Sequence, residues 1–449
     1  SYLCACKDYY TCSKVYSLSL FFTLKLGGRK SEEKNLKKEI SLFMATMLVC
    51  GNMIGSGVFM LPATLAQLSG PLATIIAWIV TAIGSILIAI SFANLGSKYP
   101  ETGGAYQYTK TAFGEFTGFL SAWLYWNGSW IGNAAIIVAL SSYSAAVIPA
   151  LHKPLFSIIY TSAILWIFTI INIVGVKKAG KLQTIATIFK IVFFATFIIV
   201  AFLNFDVSNI TPLIPEGKGL STVSLAATST LWAFVGLESS TVTAGEIKNP
   251  EKNVKKSTIY GMIIAAVIYM LISLASMGAM SNGELANSQA PLTDILTKIL
   301  GSSIGKPITI AVVICILGTT IGWLLSTARV AFAAGEDGVF PKFFGKLHPK
   351  YETPANALII GSVLVNILLI MNFQKSMVSA FTFITILATL SFLPVYLLTS
   401  AAEIMLMFKG VREFNFKIFI RRAIVPILAF IYSIWTIYGS GAETVMWGF

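Results

Sequence analysis

The sequence predicts an all-helical integral membrane protein of the five-plus-five inverted-repeat kind, with broken helices at positions one and six. Three observations predict it. Of 449 residues, 56% are hydrophobic and only 11% are charged, and the mean hydropathy of +0.79 lies outside the range of soluble domains. The apolar residues gather into runs of the length a bilayer requires, about 20 residues each. Glycine and polar residues interrupt the first and the sixth of those runs.

Eleven runs meet the length criterion: 40–66, 71–95, 116–148, 155–174, 183–203, 223–245, 258–280, 306–331, 355–372, 377–405 and 423–440. None shows the short polar–apolar alternation of a barrel strand, so the spans are helices. Residues 1–38 form a leader that fits no targeting pattern, with neither a basic start nor a long apolar core. Residues 39–205 are expected to form a first five-helix repeat and 206–408 an inverted second one. A peripheral helix follows over 409–449, with a twelfth span beginning and cut off at Phe449.

The formal net charge of +13 does not indicate a nucleic-acid partner, because the cations lie in short clusters between apolar runs. Lys98 and Lys110, Lys177, Lys178 and Lys181, Lys248, Lys252, Lys255 and Lys256, and Lys342, Lys346 and Lys350 all fall in alternate loops, as do the cations between 409 and 422. The intervening loops hold far fewer. By the positive-inside rule the amino terminus is cytoplasmic in a multi-pass cell membrane protein. Cys50 and Cys315 sit within apolar runs, Cys4, Cys6 and Cys12 in the leader, and no spacing suits zinc or disulfides. His152 and His348, both in loops, are the only histidines. No metal-protease motif or paired-carboxylate site is present, so neither an enzyme nor a cofactor is expected. A channel would need repeated filter sequences or rings of one charge, and neither is visible.

The break in the first span is GNMIGSG at 51–57, and the sixth repeats the theme in TLWAFVGLESSTVTAG at 230–245. Irregular backbone at membrane depth is tolerated where it is buried in protein or lines a cavity. Gly51 and Gly55 have the spacing of a helix-packing seam, but packing alone does not require Asn52, Ser56 and a second break five helices later. A midplane binding site accounts for all three. Freed N–H groups can hold a carboxylate and freed C=O groups an ammonium, and an α-amino acid offers both.

Six stretches together resemble the amino acid, polyamine and organocation transporters, and within them the basic amino acid/polyamine antiporter branch that includes arginine/agmatine antiporters. They are GNMIGSGVFMLPA at 51–63, PETGGAYQYTKTAFG at 100–114, LYWNGSWIGN at 124–133, TLWAFVGLESS at 230–240, EIKNPEKNV at 246–254 and GWLLSTARVAFAAGEDGVFP at 322–341. The resemblance covers the chain from about Glu39 to Phe449 and implies alternating access with exchange of a small amino acid or amine across the lipid bilayer. It implies that Ser56 and Gly57 lie at the substrate carboxylate, with the backbone around Met53, Trp232 and Val235 at the amino group and Asn52 in the same site. Trp232 would close the pocket outward. Trp323 would be a platform for a cationic side chain, and Gly128, Ser129 and Asn133 would line the opposite wall.

Two ionisable residues lie inside spans, where a central charge costs about 2.5 to 3.5 kcal/mol on insertion scales. Glu238 matches the acidic position that the family implicates in pH response; a structural carboxyl bound to the unwound backbone is the plainer alternative. Lys190 departs from the arginine/agmatine pattern. In other members of the superfamily a lysine there resembles a substitute for sodium between helices one and five, which implies sodium-independent transport, with snorkelling as the alternative. That departure also keeps a neutral amino acid carrier open beside a basic one. A non-transporting sensor with the same fold, and assembly as a homodimer, are further expectations.

Overall fold

The computed structural model describes residues 36–288, 290–372, 377–409 and 416–439, and those from Lys37 onward belong to one compact unit. The expected leader and the start of a twelfth span lie outside the described residues. Eleven helical rods run through them. Span one is split into Leu42–Met53 and Gly57–Leu68, followed by span two, Pro71–Lys98, span three, Glu115–Ala145, span four, Pro154–Val174, and span five, Val176–Leu203. Span six is the irregular stretch Val223–Val242, followed by span seven, Pro250–Ala279, and span eight, Gly305–Glu336. Spans nine, ten and eleven are Ala355–Asn372, Met377–Phe408 and Phe416–Gly439.

Among the described residues nine helices are by themselves long and apolar enough to cross a membrane, fewer than the eleven runs in the sequence. Span nine is short by that measure. Span three has the length but carries Asn127, Gly128, Ser129, Gly132 and Asn133 along its middle. It is buried over most of its course and packs along spans eight and ten, so protein rather than lipid surrounds those polar groups except Asn127, which is half-buried and donates back to the Trp123 carbonyl. Span five starts seven residues earlier than the apolar run and takes Lys177, Lys178 and Lys181 into its first turns. Proline at the first position starts spans two, four and seven, where its missing N–H costs nothing. Between spans two and three lies a short helix, Ala105–Phe113, and between seven and eight lie Asn282–Asn287 and Pro291–Leu300. They are too short or too polar to register as spans.

The break in span six has a local cause. Val223–Leu231 gives way to a tight turn at Trp232–Phe234, Val235 is extended, and Gly236 takes a φ of 111° before the chain resumes as a short helical turn at Ser239–Val242. That φ favours glycine, because a side chain there is strained. A second restriction comes from span one: a Cβ at Gly236 would stand 3.1 Å from the Asn52 carbonyl carbon and the Met53 nitrogen. The two interruptions therefore lie in contact. Asn52 Nδ2 reinforces the junction by donating to Ser239 Oγ at 2.8 Å and Ser326 Oγ at 3.1 Å.

The lysine-rich ends of the rods are stitched together. The N–H of Ile40 donates to the Glu246 carbonyl and that of Lys248 to the Ile40 carbonyl, each at 2.9 Å. Glu246 turns its carboxylate to Arg329 of span eight, accepting from Nε at 2.9 Å and from Nη2 at 2.8 Å. Both side chains are buried, at 0% and 1% exposure. Nearby, Asp337 accepts from the Tyr106 hydroxyl at 2.7 Å and from Lys110 at 2.6 Å. A two-pronged buried pair stays favourable only while both partners are present, and removing one costs about 3 to 5 kcal/mol. Glu246→Gln is therefore expected to lower the thermal midpoint of the detergent-solubilised protein by several degrees. The combination of Glu246→Leu with Arg329→Met should recover most of that loss, which differential scanning fluorimetry can check.

Candidate functional site

Splitting span one frees carbonyl groups at the end of its first half, and protein donors take them. Lys190 of span five, 0% exposed, donates from Nζ to the carbonyls of Gly51 at 3.1 Å and Ile54 at 2.5 Å, and to Thr319 Oγ1 of span eight at 2.6 Å. The Met47 carbonyl accepts from Thr187 Oγ1 at 3.2 Å. The Asn52 carbonyl accepts from Trp323 Nε1 at 2.9 Å. A fixed ammonium thus holds the place where the backbone turns, and no snorkelling toward a helix end is involved.

Beside this junction lies a cavity of about 380 Å³ of empty space. Span one contributes Asn52, Met53, Gly55, Ser56 and Gly57; span six contributes Trp232, Ala233 and Val235; span eight contributes Trp323. Seven of the residues named from the sequence thus border one space. Gly132 and Ile136 of span three and Phe392 of span ten complete it. Gly128, Ser129 and Asn133 do not line it. Gly128 faces span ten, where an added Cβ would meet Phe392 and Ser391 at 3.0 Å. Ser129 Oγ donates back to the Tyr125 carbonyl at 2.7 Å. Asn133 Nδ2 donates to Thr327 Oγ1 at 3.0 Å, and Thr327 in turn donates to the Trp323 carbonyl at 2.7 Å. Asn133 therefore reaches the cavity only through the span eight backbone.

The polar groups facing the cavity are of two kinds. The second half of span one begins at Gly57, whose N–H and that of Val58 have no intrahelical acceptor, and the Ser56 hydroxyl is buried without a partner among the described residues. This end suits a negative group. Among the carbonyls, that of Met53 accepts from Gly55 N–H at 2.7 Å and that of Trp232 from Val235 N–H at 3.3 Å, while the Val235 carbonyl accepts none of the described bonds. The remaining walls are aromatic. Trp323 meets Phe392 edge to face at 5.7 Å, and its bonded indole nitrogen fixes the ring. Among the described residues no carboxylate lines the space.

Behind it, Glu238 is buried at 0% exposure and accepts from Tyr125 of span three at 3.0 Å, Tyr396 of span ten at 2.9 Å and the Gly236 N–H at 3.3 Å. The carboxyl group thereby links three spans at the break of span six. Protonation would require one tyrosine to become an acceptor.

A family model described as amino acid permease matches residues 40–445. The chain belongs to that family. It is 32% identical over 436 residues to a Bacillus subtilis (strain 168) protein provisionally assigned as an arginine/ornithine antiporter, covering 90% of this chain and 92% of that one. An arginine/ornithine antiporter of Pseudomonas aeruginosa is 30% identical, with 93% and 89% covered. The putrescine transporter PotE of Haemophilus influenzae is 30% identical, with 91% and 94% covered. The permease is thus a multi-pass membrane transporter of small amino acids or amines, not an enzyme.

Several residues of the permease site escaped the sequence reading. Phe392 and Tyr396 are four apart on span ten, and Thr319 and Trp323 four apart on span eight, so helical spacing could have joined each pair on one face. Tyr125, Gly132 and Ile136 follow the same logic on span three. Nothing in the sequence shows which face turns inward in helices that are apolar all round. Trp232 lies between two glycines, and their clearances differ: a Cβ at Gly57 would stand 2.6 Å from its ring, one at Gly132 3.6 Å. Gly57→Ala should overpack the site and destabilise the permease by about 1 to 3 kcal/mol, whereas Gly132→Ala should leave the thermal midpoint within about a degree of wild type.

Proposed function

We propose that this permease is a sodium-independent exchanger of basic amino acids and the amines derived from them, working by alternating access around the cavity where spans one and six break. The observation that carries this reading is a carboxylate-free cavity walled by Trp232, Trp323 and Phe392, with donors at one end and a free carbonyl at the other. The substrate carboxylate would lie at Ser56 and Gly57, and the α-amino group at the Val235 carbonyl. The cationic side chain would lie over Trp323, where a cation gains about 0.5 to 2 kcal/mol from the ring face. Asn52 and Met53 shape the floor. Relatives named for arginine, ornithine and putrescine support the basic class.

In the same reading, residues 39–205 and 206–408 are the two inverted repeats and Trp232 closes the cavity on the side away from the lysine-rich ends. The lysine-rich ends would face the cytoplasm of a bacterial cell, with the amino terminus there, and the permease would assemble as a homodimer. Glu238 is the pH-responsive group, because its protonation disturbs the bonds to Tyr125 and Tyr396 that tie spans three and ten to the break. A proton-coupled or exchange carrier of neutral amino acids is the second reading, favoured by the departure of Lys190 from the arginine/agmatine pattern.

Labelled arginine uptake into proteoliposomes should be stimulated by internal arginine, ornithine or putrescine and not by empty or neutral-amino-acid interiors. Stimulation by neutral preloads alone would establish the second reading. Trp323→Leu should raise the KM for arginine about twofold to thirtyfold, the equivalent of the cation–ring energy. Glu238→Gln should flatten the pH dependence of exchange; an unchanged profile would remove Glu238 from pH response.

A further inference from the structure

A second pocket, with about 270 Å³ of empty space, lies between spans one, five and eight. It runs from Ile40 and Met44, at the lysine-rich ends, up to Gly322 beside the break of span one. Its walls are apolar or glycine except at Gln183. That side chain is 1% exposed, and neither of its amide atoms has a partner within the protein. Asn52, which borders the central cavity, also has a buried Oδ1 without a protein partner. The two amides converge on one face of Gly322: a Cβ there would stand 2.1 Å from Asn52 Oδ1, 2.7 Å from Gln183 Nε2 and 2.9 Å from Gln183 Cδ. A side chain at position 322 would fill the gap between them.

Buried amide groups are ordinarily paired, because leaving one unpaired costs about 1 to 3 kcal/mol. Asn52 pairs only its Nδ2, with Ser239 and Ser326, and Gln183 pairs neither amide atom, so the open groups that converge here mark a place where a polar guest is received. At that face Asn52 presents Oδ1 and Gln183 its NH2, and a half-turn of the Gln183 amide, whose Oε1 is equally unpartnered, brings a second carbonyl oxygen there; neither group carries a charge. Such acceptors bind an ammonium group weakly enough to let it go, whereas a carboxylate would trap it in a low-dielectric setting.

We propose that Asn52 Oδ1 and the Gln183 amide form a transit subsite for the substrate's ammonium group, between the central cavity and the lysine-rich side of the membrane. The subsite rests on the exchange reading above, since it serves a substrate that leaves the cavity by that route. It takes the ammonium group that amino acids and diamines share, so one site serves both substrate classes. Gln183 is specific to one side of the cycle. A substrate entering from the lysine-rich side meets it first, and one entering from the opposite side reaches the central cavity without it.

The test measures labelled arginine exchange, with full-length permease in proteoliposomes of determined orientation, separately from each side. Gln183→Leu, and Gln183→Met as a second variant of similar length, should each raise the KM on the lysine-rich side by about threefold or more and leave the opposite KM within about twofold. Gln183→Glu should lower the KM on the lysine-rich side and reduce turnover, because a carboxylate holds the leaving ammonium. Equal changes on both sides, or no change with Gln183→Leu and Gln183→Met, would overturn the subsite. Wild-type exchange alongside such a result would leave the transport reading standing; absence of wild-type exchange would defeat both.

Discussion

The site depends on one constraint: the carbonyls released where span one breaks must find donors inside a medium without water. Each unpaired buried carbonyl costs about 1 to 3 kcal/mol, which is ample to refold the break into continuous helix. Lys190 removes that penalty at Gly51 and Ile54 and brings Thr319 of span eight into the same cluster. Trp323 takes the Asn52 carbonyl. Spans one, five and eight are thereby fixed around the break, and the cavity wall that Trp323 forms is fixed with them. A buried ammonium is costly on its own, so the lysine and the break stabilise each other and neither is explicable alone.

That mutual dependence explains what the sequence revealed and what it did not. The breaks at 51–57 and 230–245, Lys190 and Glu238 stand out because glycine, asparagine and ionisable residues are conspicuous in apolar runs. Their partners do not. Thr319, Tyr125, Tyr396 and Phe392 are ordinary members of buried helices, and only three-dimensional packing shows which of them face the break. Span three shows the same limit in reverse. The family resemblance pointed to Gly128, Ser129 and Asn133 as a cavity wall, yet the helix presents Gly132 and Ile136 to the cavity and sets Gly128 against span ten. Gly128, Gly132 and Ile136 share one helix face, so the difference is height along the span, which residue type alone does not set.

The distribution of charge around the cavity favours exchange over tight binding. Glu238 stands behind the wall, occupied by two tyrosines and a backbone N–H, and the Arg329–Glu246 pair lies toward the lysine-rich ends. The lining itself is uncharged. A carrier must release what it binds, and aromatic faces with a few neutral dipoles give affinity without the deep well of a desolvated ion pair. The fixed charges instead tie helices to one another.

The most direct test of this account is equilibrium binding of labelled arginine to purified permease with sodium chloride replaced by choline chloride, for wild type and Lys190→Ala. The account predicts wild-type binding that is indifferent to sodium and is lost or weakened at least about tenfold in Lys190→Ala, as the buried Gly51 carbonyl loses its donor and the Ile54 carbonyl keeps only Thr319 Oγ1. Sodium-stimulated binding by wild type, or unaltered binding by Lys190→Ala, would contradict it.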